Sequence, residues 1–266
     1  MMQPPPPGPL AAFLTSLPYD FAEAVRQAVA LGFTHVDVVA LTERPCSHLE
    51  ALADTGVLIT CAALGRGLPE SHSLDAADVA IRRATLEVLR QQVADAAHLG
   101  ASRAYLVPGL HKEAVALTYF AEGCSLLADY AAGRRVRLGI EHVPGRALAS
   151  ANQTLTWLED LGHTNLGLLL DVGHCLISGE EPAAVARRAE ARLVYLHLDD
   201  NDGIGDLHWP LLTGRLTRQQ LLDLAAALRD IGYRDGLALA VSPGHAAPHA
   251  ALQESKRLAA LLFNIM

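Results

Sequence analysis

The chain has 266 residues, 51% of them hydrophobic, and a formal net charge of −8 at pH 7. That is enough apolar material for one large core, yet the apolar stretches are interrupted well short of the roughly 20 residues that cross a bilayer. Lysine occurs only at Lys112 and Lys256, so no basic run can track phosphates; the composition argues against nucleic acid and membrane and for a small neutral or polar partner.

Pro4 to Pro7 can join neither a helix nor a sheet ladder, so residues 1–9 are expected to form a flexible Pro-rich tail ahead of a single domain over 10–266. From there β-type runs alternate with helical-period runs, the pattern of a parallel sheet with crossover helices. Strands are predicted at Leu10–Thr15, Thr34–Ala40, Val57–Ala63, Arg103–Val107, Val136–Glu141, Leu166–Asp171, Leu193–Leu198 and Gly236–Val241. Helices are predicted between and after them at 20–31, 45–54, 75–99, 111–131, 150–161, 181–190, 217–230 and 248–264. Gly32, Gly100, Gly162 and Gly232 each follow a last helical turn, where a left-handed residue closes the helix. Asp20 with Glu23, and Thr217 with Gln220, have the spacing of a capping box. Eight βα units without a linker-like break predict closure into a (βα)8 TIM barrel, with a doubly wound open sheet as the alternative. Cys46, Cys61, Cys124 and Cys175 form no CxxC pair and nothing at the start resembles a secretory signal, so reduced thiols and a cytoplasmic location are expected.

Three strands end in groups that bind metals: Leu138-Gly139-Ile140-Glu141, Leu168-Leu169-Leu170-Asp171 with His174 three residues on, and Val194-Tyr195-Leu196-His197. In a barrel the carboxyl ends of the strands ring one mouth, so these side chains can converge. Oxygen and nitrogen donors together suit a divalent ion such as Zn or Mn better than a thiolate-seeking metal. Each residue also has a plainer reading. Glu141 could pair with Arg146 in the following loop, Asp171 could cap a turn through backbone N–H groups, and His197 could be a hydrogen-bonded core histidine. The Val172-Gly173 step is expected to let the backbone turn between Asp171 and His174. Downstream, Asp199, Asp200, Asp202, Asp206 and His208 make a loop rich in donors for a metal or for sugar hydroxyls.

At these residues the chain resembles the xylose isomerase-like TIM barrels, a family that includes sugar-phosphate isomerases and epimerases, inosose dehydratases and endonuclease IV-type enzymes. The resemblance spans nearly the whole chain and rests on Gly139-Ile140-Glu141-His142, Leu170-Asp171-Val172-Gly173-His174, Tyr195-Leu196-His197-Leu198-Asp199-Asp200, Asp206-Leu207-His208-Trp209-Pro210 and Thr213-Gly214-Arg215-Leu216. It implies Glu141, Asp171 and His197 as ligands of one divalent ion, Mn, Zn or Mg. The family's fourth ligand, a second glutamate, falls at Ala240, which can neither bind a metal nor move a proton. His208 is then a replacement ligand or a substrate contact. For the trinuclear centre of the endonuclease IV type, His174, Asp206 and His208 match the ligands of one ion, but Val107 stands where a histidine is expected.

These residues lead to an enzyme that isomerises, epimerises or dehydrates a small polyhydroxylated carbonyl compound: a sugar, sugar phosphate or inositol-like molecule. Glu141 and His174 are its catalytic candidates, and His174, Asp200, Asp206, His208 and Arg146 its substrate contacts. Two alternatives stand beside it, a sugar-binding barrel that has lost catalysis and a metal-dependent hydrolase using His174, Asp206 and His208. Self-association is left open.

Overall fold

Strands such as Leu166–Asp171 are buried at every position, as expected of a parallel strand covered on both faces. In the computed structural model, which describes residues 8–265, eight strands pair in chain order and all in parallel. They are β1 (Leu10–Phe13), β2 (His35–Val39), β3 (Leu58–Ala63), β4 (Arg103–Leu106), β5 (Arg137–Glu141), β6 (Leu166–Asp171), β7 (Leu193–Leu198) and β8 (Leu237–Leu239). The ladder Leu10↔Leu237, Ala11↔Ala238, Ala12↔Leu239 joins β1 to β8 and closes the sheet, so the fold is a TIM barrel and the open-sheet alternative is excluded.

Among the described residues the helices are α1 (Phe21–Ala30), α2 (Cys46–Thr55), α3 (Val79–His98), α4 (Ala114–Ala132), α5 (Ala151–Leu161), α6 (Val172–Ser178), α7 (Pro182–Ala189), α8 (Arg218–Asp230) and α9 (Pro248–Phe263). None of them is long and apolar enough to cross a membrane. Eight occupy predicted segments, with trimmed ends. Asp78, for instance, accepts from Ala80 N and starts α3 several residues later than predicted. The unforeseen helix is α6: seven residues that follow β6 directly are too few to show a helical period. Leu14 and Thr15, predicted as strand, belong to a 3-10 turn over Leu14–Ser16.

The four helix-closing glycines all have positive φ, 78°, 80°, 67° and 68° at Gly32, Gly100, Gly162 and Gly232. Thr217 and Gln220 make the full reciprocal capping box. Asp20 makes only half of one: it accepts from Glu23 N, but the Glu23 carboxylate turns to Arg26 and Gln27. Residues 1–7 of the expected tail lie outside the described residues. Gly8 N donates to Asp235 O, and Leu237 N to Pro9 O, so residues 8–9 run beside β8.

Two apolar layers follow from the strand geometry. Outward side chains pack against the helices in one large cluster. Inward ones form a second, smaller cluster, in which Phe13, Tyr105 and Tyr195 fill the space left by Ala11, Ala238 and Ala240. The wall is tied to its helices at one buried ion pair: Arg44 clasps Asp95 through Nε and Nη2 at 2.8 and 2.7 Å, and also donates to Val39 O. Asp95 accepts Leu41 N as well, so the β2–α2 loop hangs on one α3 carboxylate. Removing one partner of such a pair strands a buried charge. Asp95→Ala is therefore expected to lower unfolding free energy by about 3–5 kcal/mol in urea, whereas replacing both residues by apolar ones should cost much less; equal losses would refute this account.

Candidate functional site

Glu141, Asp171 and His197 are the last or near-last residues of β5, β6 and β7, and all three are buried, with exposures of 6%, 0% and 1%. The register sets Asp171 opposite His197. One donor atom from each lies within 4.8 Å of the others: His197 Nδ1 is 3.3 Å from Glu141 Oε1 and 3.8 Å from Asp171 Oδ2. Asp171 serves both of the roles read from the sequence, one per oxygen. Oδ1 accepts His174 N at 2.8 Å and caps α6, while Oδ2 has no hydrogen-bond partner and faces the cluster. Buried carboxylate oxygens without a partner are costly, and an oxygen-plus-imidazole set is the donor chemistry of a divalent ion. The residues fit such an ion.

Around this set the structure adds supports that pattern reading passed over. Phe13 stacks on the His197 ring at 5.9 Å and Tyr105 meets it edge-on at 5.1 Å. Behind it lies Asp37, fully buried on β2, whose Oδ1 accepts from Tyr195 Oη at 2.8 Å and Cys61 N at 3.0 Å. Asp37 Oδ2 and His197 Nε2 face each other across 3.9 Å, and neither has another partner. Burial pushes the Asp37 carboxyl up to about 7 against the opposing pull of His197, Tyr195 and Cys61 N–H. The signal was a charged residue amid valines in His35-Val36-Asp37-Val38-Val39, an inward position on a strand. His142, also missed, is fully buried; burial, then His174, push its pKa down to about 4. The neutral ring accepts Asp171 N through Nε2 at 3.3 Å.

A second set adjoins the first. His174, Asp206 and His208 form one group of mutually close donor atoms, and Asp171, Asp199 and His208 another. His174 Nδ1 donates to His142 O at 2.8 Å, which leaves Nε2 3.2 Å from Asp206 Oδ1. Asp206 Oδ1 is equally 3.2 Å from His208 Nε2. Burial works against a charged His174, but the carboxylates of Asp171, Asp206 and Glu141 outweigh it and hold its pKa well above the usual range. His208 was read as a replacement ligand or a substrate contact. As a ligand beside Glu141 and His197 it is a first correction: its Nδ1 faces Asp199 Oδ2, and its donor atoms group with His174 and Asp206 and with Asp171 and Asp199, not with Glu141 and His197.

Asp200 is a second correction. It is fully buried and its carboxylate accepts Asn201 N, Gly214 N and Leu216 N, so it folds the loop over 199–216 and does not meet the cavity. Gly173 is a third. It is helical, not a turn residue, and is needed because a Cβ would come within 2.2 Å of Asp199 Oδ1, which accepts Gly173 N. Arg146 does not pair with Glu141; its Nη1 donates to Pro108 O at 3.2 Å.

Glu141, His174, His197, Asp206, His208 and Ala240 line one cavity of about 340 Å³ at the barrel mouth, with Arg146 and Val107 on its wall. Ala240 thus stands on the wall as a methyl group, and among the described residues the group around Glu141 has three members, Glu141, Asp171 and His197.

A family model described as xylose isomerase-like TIM barrel matches residues 25–261. The chain is 29% identical over 213 residues to L-ribulose 3-epimerase of Mesorhizobium japonicum, a match covering 76% of this chain and 65% of that relative, less than two thirds of its length. Among solved structures, a D-tagatose 3-epimerase-like protein superposes with TM-score 0.80 at 16% identity over 97% of each chain. An L-ribulose 3-epimerase superposes with TM-score 0.79 at 21% identity, covering 97% of this chain and 95% of that one. D-allulose 3-epimerase from Methylomonas sp., in complex with D-allulose, gives TM-score 0.75 at 20% identity, covering 99% and 97%. At these identities the structures share the barrel.

Two substitutions probe the metal reading directly. A carboxylate behind a ligating imidazole fixes its tautomer and strengthens it as a ligand, so Asp37→Asn is expected to weaken Mn²⁺ binding by about 10–100-fold in calorimetric titration of metal-free protein. Affinity unchanged in a folded variant would remove Asp37 from the metal centre. Conversely, Ala240→Glu should tighten Mn²⁺ binding by about tenfold or more, or 1.4 kcal/mol; equal affinities would mean that another residue already fills that position.

Proposed function

The chain belongs to the xylose isomerase-like TIM barrel family, and on that premise we propose that it is a metal-dependent isomerase acting on a small polyhydroxylated carbonyl compound, a sugar, sugar phosphate or inositol-like molecule. The observation that carries this reading is the convergence of Glu141, Asp171 and His197 on one point beside a sugar-sized cavity. The single unit over 10–266 supplies the whole site. A divalent ion held there, Mn, Zn or Mg, supplies Lewis-acid polarisation of a substrate carbonyl.

The protein's own groups then divide the work. Glu141 takes the proton from the carbon next to the carbonyl and returns it to the neighbouring carbon of the resulting enediol. His174 is aimed by His142 O and backed by Asp206; it gives a proton to the carbonyl oxygen as the enediol forms and takes one from the neighbouring hydroxyl as the new carbonyl forms. One carboxylate suffices for an aldose–ketose shift on one face of the substrate. Inversion of a centre needs groups on both faces, and Ala240 leaves the second without a carboxylate, so isomerisation is favoured over the epimerisation named for the relatives.

Ala240 also supports a second reading, a barrel that binds sugars without turning them over. The His174, Asp206 and His208 group supports a third, a hydrolase, though Val107 and Ala240 leave a multinuclear centre short of ligands. Exchange of solvent deuterium into a bound ketose, followed by NMR with Mn²⁺ saturating, separates the first from the others because it registers enolisation even when net conversion is slow. Glu141→Gln should slow exchange by about 10²–10⁴-fold. Undiminished exchange in the variant would rule out Glu141 as the base, and none in wild type would leave the binding and hydrolase readings.

A further inference from the structure

The composition favoured a neutral or polar substrate, but the mouth of the barrel is not electrically uniform. Its inner end carries Glu141, Asp206 and the histidines. Its outer wall carries two guanidinium groups, Arg66 and Arg146. A second cavity of about 290 Å³ adjoins the first, and Arg66, Val107 and Arg146 line both. The two arginines therefore stand where the sugar-sized cavity opens into further space.

Both are mounted on clamped backbone. Arg66 follows β3, where Gln92, 2% exposed on α3, accepts Gly65 N at 2.7 Å and donates to Arg66 O at 3.1 Å. Arg146 follows β5, where Arg146 N donates to Val143 O, Ala147 N to Gly109 O, and the guanidinium itself to Pro108 O. Among the described residues no Asp or Glu oxygen lies within 4.0 Å of either guanidinium, unlike Arg44 and Arg103, which pair with Asp95 and Asp235. Arg66 is exposed and Arg146 half-buried, and a guanidinium presents a planar fork of N–H donors that matches phosphate and carboxylate oxygens.

Resting on the isomerase reading of the same cavity, we infer that the substrate carries an anionic group, phosphate or carboxylate, at the end remote from its carbonyl, and that Arg66 and Arg146 hold it. The carbonyl end lies at Glu141 and His197 and the anion at the junction of the two cavities.

Calorimetry of the Mn²⁺-loaded protein with fructose, fructose 6-phosphate and fructuronate tests this. At least one of the two anionic ketoses should bind about tenfold or more tightly than fructose, by 1.4 kcal/mol, and which one does so identifies the anion. In Arg66→Met and Arg146→Met the preference should shrink, and in the double variant it should fall to about one. Arg146→Lys should keep part of it, since charge remains while the fork is lost. If the methionine variants fail to fold, wild type still decides: inorganic phosphate should weaken binding of the anionic ketose more than that of fructose. Equal affinities in wild type, a preference that survives the double variant, or phosphate that hinders both ligands equally would overturn the inference. Deuterium exchange run on the same three ketoses keeps the two questions apart. Exchange without anion preference sinks the inference and spares the isomerase, while Arg-dependent anion preference without exchange does the reverse.

Discussion

Asp171 is a fully buried carboxylate through which four elements are held in register. Its Oδ1 starts α6 by accepting His174 N, its backbone N is fixed by His142 at the end of β5, its strand neighbour across the ladder is His197, and its Oδ2 faces the ligand cluster. Because the cap orients the first turn of α6, Gly173 N reaches Asp199 and His174 is set with its ring against His142 O. The second group of donors is thus built on the first. Any displacement of Asp171 would strand a buried charge and release the helix that carries His174, so the geometry of the mouth is over-determined by ordinary hydrogen bonding.

The charge around Asp171 has a consequence for how the site is filled. Asp37, Glu141, Asp171 and Asp199 are buried together with His197 and His174, and Asp206 and His208 complete the rim. Without a metal, protons are the available counter-charge: despite burial, the surrounding carboxylates raise the pKa of His197 and hold that of His208 at about 10. An imidazole must be neutral to ligate a metal. Ion and proton therefore compete for the same carboxylates, and binding of a divalent ion is expected to release the proton that they hold on His197.

Much of this was legible in the amino-acid order. All eight strands were, because β-type runs bounded by glycine stops recur along the chain, and so were Glu141, Asp171 and His197, because a charged or imidazole side chain at the end of an apolar strand has few structural uses. What escaped lay below the resolution of pattern. The helix α6 is shorter than two full turns and continues directly from β6, so nothing marks its start. Asp37 sits inside a strand, not at its end, and only closure of the barrel brings it beside His197 on β7. Asp200 and His208 were separable only once the loop was folded, since both belong to one acidic run; the isolated bridge between Asp200 and Trp209 turns one carboxylate toward backbone N–H groups and leaves the neighbouring histidine at the cavity.

The absence of a carboxylate at Ala240 admits a barrel that does no metal chemistry, and the energetics of the neighbouring residues bear on that choice. Buried carboxylates without a compensating cation destabilise a fold, and apolar side chains of similar volume in their place are commonly neutral or stabilising. The interior already shows what such replacement looks like: Ala11, Ala63, Ala238 and Ala240 pack against Phe13 and Tyr105 without any polar atom to satisfy. In the same interior Asp171 Oδ2, Asp37 Oδ2 and His197 Nε2 remain without partners and converge on one ring. A core with nothing to bind has no physical reason to keep that arrangement, and local cost retained inside an otherwise consistent fold is characteristic of a working site. On the proposed function, Glu141, Asp171 and His197 are one half of an interaction whose other half is a cation.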